Sequence, residues 1–359
     1  MAEPTSRAPV TENQRGPDPL SDPDHQSSTD PLLDDAPGDW VPDVLTGFQR
    51  RTLALPEDDL GPRVCTLVRP RPTDAPQADP DAVPVLILHG WADYFYNHAL
   101  AVALQAGGYA VYALDFHRYG RSMREGDTPG WTDSLDAYDA DLEAALGVIG
   151  ELHPHRPVLL AHSTGGLTAS WWAHRHPGRV RALVLNSPWL DMKGSAWVRT
   201  LAQAIVQPLA SRDRLRMLRL PRFDLYWRTL SAQADGEWEL HSRWRPRFSF
   251  EVPAAWLTAV LAVQAEVAGG LDVQEPVLCV VAGSGTRTTR YAAALAEADI
   301  VLDPAAMAQQ ALRLGSRITV HRVAGAMHDV FASRASVREP ALAETLRWLS
   351  LYAPPASAD

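Results

Sequence analysis

The sequence predicts an α/β architecture with a mostly parallel central sheet, and three observations carry that expectation. Short apolar runs recur at Val83–Leu88, Tyr109–Leu114, Val158–Leu160, Val180–Leu185, Val277–Val281 and Ile318–Val323. Helical stretches such as Leu135–Leu152 and Ala305–Leu314 lie between them, the alternation that right-handed βαβ units produce. Glycines, prolines and aspartates punctuate the joins.

Composition bounds the alternatives. The 359 residues carry 33 Lys plus Arg against 43 Asp plus Glu, a formal charge of −10, which disfavours a nucleic-acid binder because phosphate contacts need a basic face. Cys65 and Cys279 are too sparse for a disulfide scaffold or a zinc cluster, so a reducing compartment, the cytoplasm, is expected. The start of the chain lacks the basic and apolar segments of a secretory signal, and no run of about 18 apolar residues suggests a membrane span. Nothing in the sequence sets an oligomeric state.

Residues 1–40 hold nine acids, two arginines and seven prolines, a local charge of −7 that leaves the remainder near neutrality. So little apolar surface cannot offset chain entropy, and a disordered acidic tail is expected over residues 1–45. The core is expected over 46–187 and 275–353, with a short tail at 354–359. Arg63–Arg69 alternates like a half-exposed strand. About 90 residues between the runs ending at Leu185 and beginning at Pro276 are rich in Trp, Arg and Leu with helical periodicity. A structureless loop of that length is uncommon in a compact domain, so a helical cap over 188–274 is expected.

The chemistry concentrates at four places. Leu159-Leu-Ala-His-Ser-Thr-Gly-Gly166 sets Ser163 directly after a strand and before a helix, where a strained turn presents the hydroxyl and the helix N-terminus favours negative charge. Ser163 on its own reads equally well as a helix cap, so partners decide. His328, in Ala324-Gly-Ala-Met-His-Asp329, follows the last strand and is placed to act as base. A carboxylate should follow the strand 276–281; Asp299 is the first choice, because Asp303 before Pro304 has a sufficient duty as an N-cap, and Asp191 is third. The backbone N–H groups of Thr164 and of Trp91, after His89-Gly90, would form the oxyanion hole. His89 itself reads as a loop-bracing residue.

These segments, together with Leu114-Asp-Phe-His-Arg-Tyr-Gly-Arg-Ser122, resemble the α/β-hydrolase superfamily, and within it the serine aminopeptidase-like group that includes monoacylglycerol lipases and lysophospholipases. The resemblance covers about residues 46–352. It departs at Ala161, at His117-Arg118-Tyr119 and in the insertion Ser284–Glu297. It implies a serine hydrolase with a helical cap, no metal or organic cofactor, and a small-molecule ester with a lipid-like or otherwise apolar acyl group as substrate. A serine aminopeptidase and a non-catalytic interaction protein of the same fold are the rival readings.

Trp91, Tyr94 and Trp189 are expected to line an apolar acyl site, with Phe95, Tyr96 and Trp197 in the same neighbourhood. Arg212, Arg214, Arg216, Arg219 and Arg222 read first as a solvated face, and otherwise as a site for a phosphate headgroup or an anionic membrane. His153/His155 and His174/His176 have metal-like spacing without a third ligand, so no metal is expected. Gly283-Ser-Gly285 lacks the third glycine of a dinucleotide site.

Overall fold

The structure, a computed structural model, describes residues 32–72, 80–192 and 196–355, with backbone alone for 196–203. Residues 32–355 lie within one compact unit.

Nine strands form the central sheet: β1 Val41–Pro42, β2 Phe48–Asp58, β3 Gly61–Pro70, β4 Pro84–Leu88, β5 Ala110–Asp115, β6 Val158–His162, β7 Ala182–Asn186, then β10 Val277–Ala282 and β11 Ile318–Val323. Their spatial order is β1-β2-β3-β5-β4-β6-β7-β10-β11. The pairs from β5 to β11 are parallel, whereas β1, β2 and β3 add an antiparallel edge. Helices α1 His98–Ala106, α2 Asp139–Leu152, α3 Thr164–Arg175, α7 Pro304–Ala311 and α8 Ala335–Tyr352 connect or follow the parallel strands.

The central strands are apolar throughout because both faces of the sheet are covered. Leu86, Leu88, Leu159, Ala161, Leu183, Leu185, Cys279 and Val281 point into one core, and their neighbours Val85, Ile87, Val158, Leu160, Val184, Leu278 and Val280 into the other. β3, where alternation was expected over Arg63–Arg69, is instead buried on both sides from Cys65 to Val68 and only partly exposed before it.

Residues between β7 and β10, the region expected to be a cap, contain α4 Ala196–Arg212, α5 Leu225–Leu230 and α6 Ala254–Gly269, with a two-stranded ribbon of β8 Met217–Leu218 and β9 Val252–Pro253. α4 packs on α6. Below them, Tyr94, Tyr96, Leu230, Trp238, Leu240, Trp244 and Met327 form a third, aromatic cluster. No helix among the described residues is long and apolar enough to cross a membrane.

The expected tail boundary at 45 needs correction. Val41–Pro42 pairs with β2, Asp43 is buried, and Leu32 and Leu33 pack on the hydrophobic clusters. The reason is electrostatic: Arg121 reaches both carboxylate oxygens of Asp43 at 2.8 and 2.7 Å while its other branch meets Asp115 at 2.9 Å. A buried guanidinium requires such partners, and the acids of this stretch supply one. Residues 1–31 of that expected tail, and 356–359 of the C-terminal one, lie outside the described residues.

Candidate active site

The carboxyl ends of the parallel strands converge on Ser163, at the first residue past β6. Its backbone adopts φ 52°, ψ −116°, a positive φ that is strained for a residue with a Cβ. Several contacts hold that strain. The Ser163 N–H donates to Asn186 O at 3.1 Å, and its carbonyl accepts from Gly166 and Trp189 at 3.0 Å. The turn is also crowded: a Cβ on Gly165 would lie 2.3 Å from His89 O, and one on Gly166 would lie 2.7 Å from Pro188 Cβ. Glycine at both positions is therefore a packing requirement.

His328 Nε2 lies 3.1 Å from Ser163 Oγ, and its Nδ1 lies 2.8 Å from Asp299 Oδ2. All three residues are buried. Burial raises the Asp299 carboxyl, but the His328 charge and the N–H groups of Leu302 and Val301, at 2.7 and 2.8 Å, more than reverse this and hold it below the usual carboxylate range.

The long insertion after β10 does not displace Asp299. The Asp299 N–H donates to Ser284 O and its carbonyl accepts from Thr286 N–H, both at 2.9 Å, so residues 287–298 form an excursion whose base is closed by backbone pairing with Ser284–Thr286 just past β10. The remaining candidates are engaged elsewhere. Asp303 caps α7 through Ala305 and Ala306 N–H, and Asp191 accepts from Met192 N–H and Gln310.

Gly90 places the start of the β4 loop against the turn, since a Cβ there would stand 3.0 Å from Ser163 Cβ. Trp91 thus begins beside Ser163, and Thr164 opens α3 beneath it. His89 braces the loop: Nε2 accepts from Phe116 N–H at 3.1 Å, which leaves Nδ1 to donate to Gly90 O at 2.8 Å.

The aromatic residues divide. The Trp91 ring lies 3.8 Å from that of Trp256 on α6, and Trp256 lies 6.0 Å from Trp189, so three indoles adjoin one another where Trp91 and Trp189 flank the serine turn. Tyr94 is instead a packing residue, locked edge-on to Trp244 with its hydroxyl accepting from His241 N–H at 2.9 Å. The side chain of Trp197 lies outside the described residues. Tyr226, on α5, packs edge-on against His328 with ring centroids 5.5 Å apart.

Three of these residues escaped the sequence reasoning. Asn186 ties the serine turn to the histidine loop, with its amide donating to Asp329 at 2.6 Å and its side-chain oxygen accepting from Val330 N–H at 3.0 Å. Asp329 in turn caps Phe331 and Ala332 N–H. The sequence signal for Asn186 was a polar residue closing an apolar strand. Trp256 had only a position on an apolar helix, and Tyr226 had none. Of the paired histidines, His153 contacts Tyr112 and Pro80, His174 accepts from Asp272 N–H, and His176 meets Asp139. No group of three metal-ligating side chains occurs among the described residues.

The order β2-β3-β5-β4-β6-β7-β10-β11, with an antiparallel edge on a parallel sheet and the serine turn between β6 and α3, is that of an α/β hydrolase. The chain belongs to the serine aminopeptidase (S33) family, whose profile matches residues 78–268, more than half of its length. That match includes Ser163 and stops short of Asp299 and His328. A monoacylglycerol lipase from Mycolicibacterium smegmatis is 34% identical over 116 residues, 32% of this chain and 40% of the relative, so the chain matches less than half the length of that protein. Among solved structures, a monoacylglycerol lipase from Paleococcus ferrophilus superposes with a TM-score of 0.55 at 20% identity, covering 75% of this chain and 95% of the other. A soluble variant of monoglyceride lipase from Saccharomyces cerevisiae superposes at 0.59 with 13% identity, covering 84% and 96%. At these identities the structural likenesses speak for the fold.

Proposed function

We propose that the protein is a serine hydrolase that cleaves a carboxylic ester with an apolar acyl group, in the manner of a monoacylglycerol lipase or lysophospholipase. The observation that carries this reading is the hydrogen-bond relay from Ser163 Oγ to His328 to Asp299 at 3.1 and 2.8 Å. His328 Nε2 takes the proton as Ser163 Oγ attacks the ester carbonyl, while Asp299 holds the Nδ1–H tautomer and stabilises the imidazolium. The N–H groups of Trp91 and Thr164 stabilise the tetrahedral oxyanion. Protonated His328 releases the alcohol, and water repeats the sequence on the acyl-enzyme.

Residues 188–274 act as a helical cap in this reading. Trp91, Trp189 and Trp256 offer an apolar wall to the acyl group, while Tyr94 packs on Trp244. The named activity of the mycobacterial relative agrees with an ester substrate. Two buried free thiols suit a reducing compartment such as the cytoplasm.

A fluorophosphonate probe should label wild type at Ser163 and leave Ser163→Ala unmodified, and p-nitrophenyl acyl esters should turn over with a preference for longer chains. Faster turnover of aminoacyl p-nitroanilides would transfer the assignment to an aminopeptidase. Folded protein that neither labels nor hydrolyses either class would return it to a non-catalytic role.

A further inference from the structure

We propose that residues 212–223 of the insertion form a docking surface for an anionic lipid bilayer. The inference concerns an interaction surface and stands whether or not the ester-hydrolase reading holds.

This stretch differs from the rest of the surface in two ways at once. Residues 211–216 and 219–223 are all exposed, and they include Leu215, Leu220 and Phe223 at 44, 49 and 55% exposure, with Ile205 at 58% on the preceding helix α4. Three large apolar side chains this close together in an exposed segment are unusual for a surface in contact only with water. Interleaved with them are Arg212, Arg214, Arg216, Arg219 and Arg222, against Asp213 alone in the same interval and Asp224 just after it, although the whole chain carries −10.

The charges are partly committed, and the pattern of commitment is informative. Arg214 is held by Asp59 and by Asp133 at 3.0 Å, its carbonyl accepts from Trp131 Nε1 at 2.8 Å, and Asp224 pairs with Arg247. Arg212, Arg216, Arg219 and Arg222 have no ion pair or side-chain hydrogen bond among the described residues. The backbone is meanwhile fastened: Arg216 O accepts from Ala254 N–H at 2.8 Å, and Met217–Leu218 pairs with Val252–Pro253 at the foot of α6. The stretch is thus a fixed platform whose free side chains are cationic and apolar.

An apolar protein partner would account for the leucines and phenylalanine, and a soluble anion for the arginines. Their interleaving fits one surface that offers both chemistries, phosphate headgroups above hydrocarbon, where arginines reach the headgroups while the apolar side chains enter the interface. The platform joins α6, which carries Trp256 of the indole row, so docking there would bring that row toward the bilayer.

The test is flotation of the full chain with phosphatidylcholine vesicles, with and without phosphatidylglycerol. Wild type should float with the mixed vesicles, more weakly as salt rises, and remain behind with pure phosphatidylcholine. Each arginine removed should weaken partitioning about fivefold. The quadruple Arg212→Gln, Arg216→Gln, Arg219→Gln, Arg222→Gln variant should therefore fail to float, and Leu220→Ser/Phe223→Ser should bind substantially less. Both variants should keep the wild-type thermal midpoint to within a few degrees, because these arginines form no ion pair or side-chain hydrogen bond among the described residues and the two apolar side chains are about half exposed. Undiminished flotation of the quadruple variant, or no flotation of wild type with anionic vesicles, would overturn the proposal. So would concentration-dependent self-association that Phe223→Ser abolishes in the absence of vesicle binding.

Discussion

Arg245, contributed by the segment between α5 and α6, forms a buried ion pair with Asp93, which lies two residues past Trp91 in the loop after β4. The guanidinium also sits over the rings of Tyr96 and Tyr226 at 5.5 and 5.4 Å, and Tyr226 meets His328. Burial raises the Asp93 carboxyl, but Arg245 more than reverses this and keeps it ionised. Between Trp91 and Asp93, Ala92 takes φ 49°, a strained conformation for a residue with a side chain. One ion pair therefore couples the insertion to the strained loop beside Ser163.

Removing one partner leaves an uncompensated buried charge. Arg245→Met should cost about 3–5 kcal/mol in urea unfolding, and Asp93→Asn in that background should restore part of it. A single-variant loss under 1 kcal/mol would mean that the pair is solvated.

Asp299→Asn should lower turnover by about four orders of magnitude, because the amide cannot hold the required His328 tautomer. Asp303→Asn should leave both turnover and stability within about 0.5 kcal/mol of wild type, since asparagine caps helices as well as aspartate. Equal losses in the two variants would remove Asp299 from its proposed role.

Acid should destabilise the protein in a defined window. Asp43, Asp58, Asp93 and Asp299 all have lowered carboxyl pKa values, with Asp58 at about 2 beside Arg118. A lowered folded pKa gives stabilisation that is complete above the unfolded value of about 3.9 and lost as pH falls through the folded one. Asp127, raised by burial, has the opposite sign. Burial also holds His162 and His153 below the usual histidine value, so urea midpoints should decline gently as pH falls through about 6.5 and then drop more steeply from about pH 4 toward pH 2. A midpoint that stays flat from about pH 7 to pH 2 would mean that neither the buried histidines nor the paired carboxylates contribute folded-state stability.

Two glycines should respond oppositely to alanine. Gly165→Ala drives a methyl group against His89 O and should cost about 1–3 kcal/mol while displacing the Ser163 turn. Gly147→Ala, on the exposed side of α2 with nothing within 4 Å, should stabilise by up to about 1 kcal/mol. Thermal midpoints of the pair check both signs.

The sequence by itself determined the parallel sheet, because buried strands must be apolar on both faces and their runs stand out between helices. It also marked Ser163 and His328, whose local settings, a strand-to-glycine turn and a loop after the last strand, are written in adjacent residues. It singled out Asp299 by relieving Asp303 of any duty beyond capping. Only the tertiary structure decided how Asp299 reaches His328, since the backbone pairing at Ser284 and Thr286 closes an excursion whose length alone says nothing about where it returns. The same holds for Asp43, which read as part of an acidic tail until Arg121, 78 residues away in sequence, made it a buried counter-ion. Trp256, Tyr226 and Arg245 were equally silent, because contacts between an inserted segment and the sheet beneath it join residues with no shared local pattern. Periodicity and turn chemistry are local properties and can be read along the chain. Pairing of buried charges and packing of one segment over another depend on distances that exist only once the chain has folded.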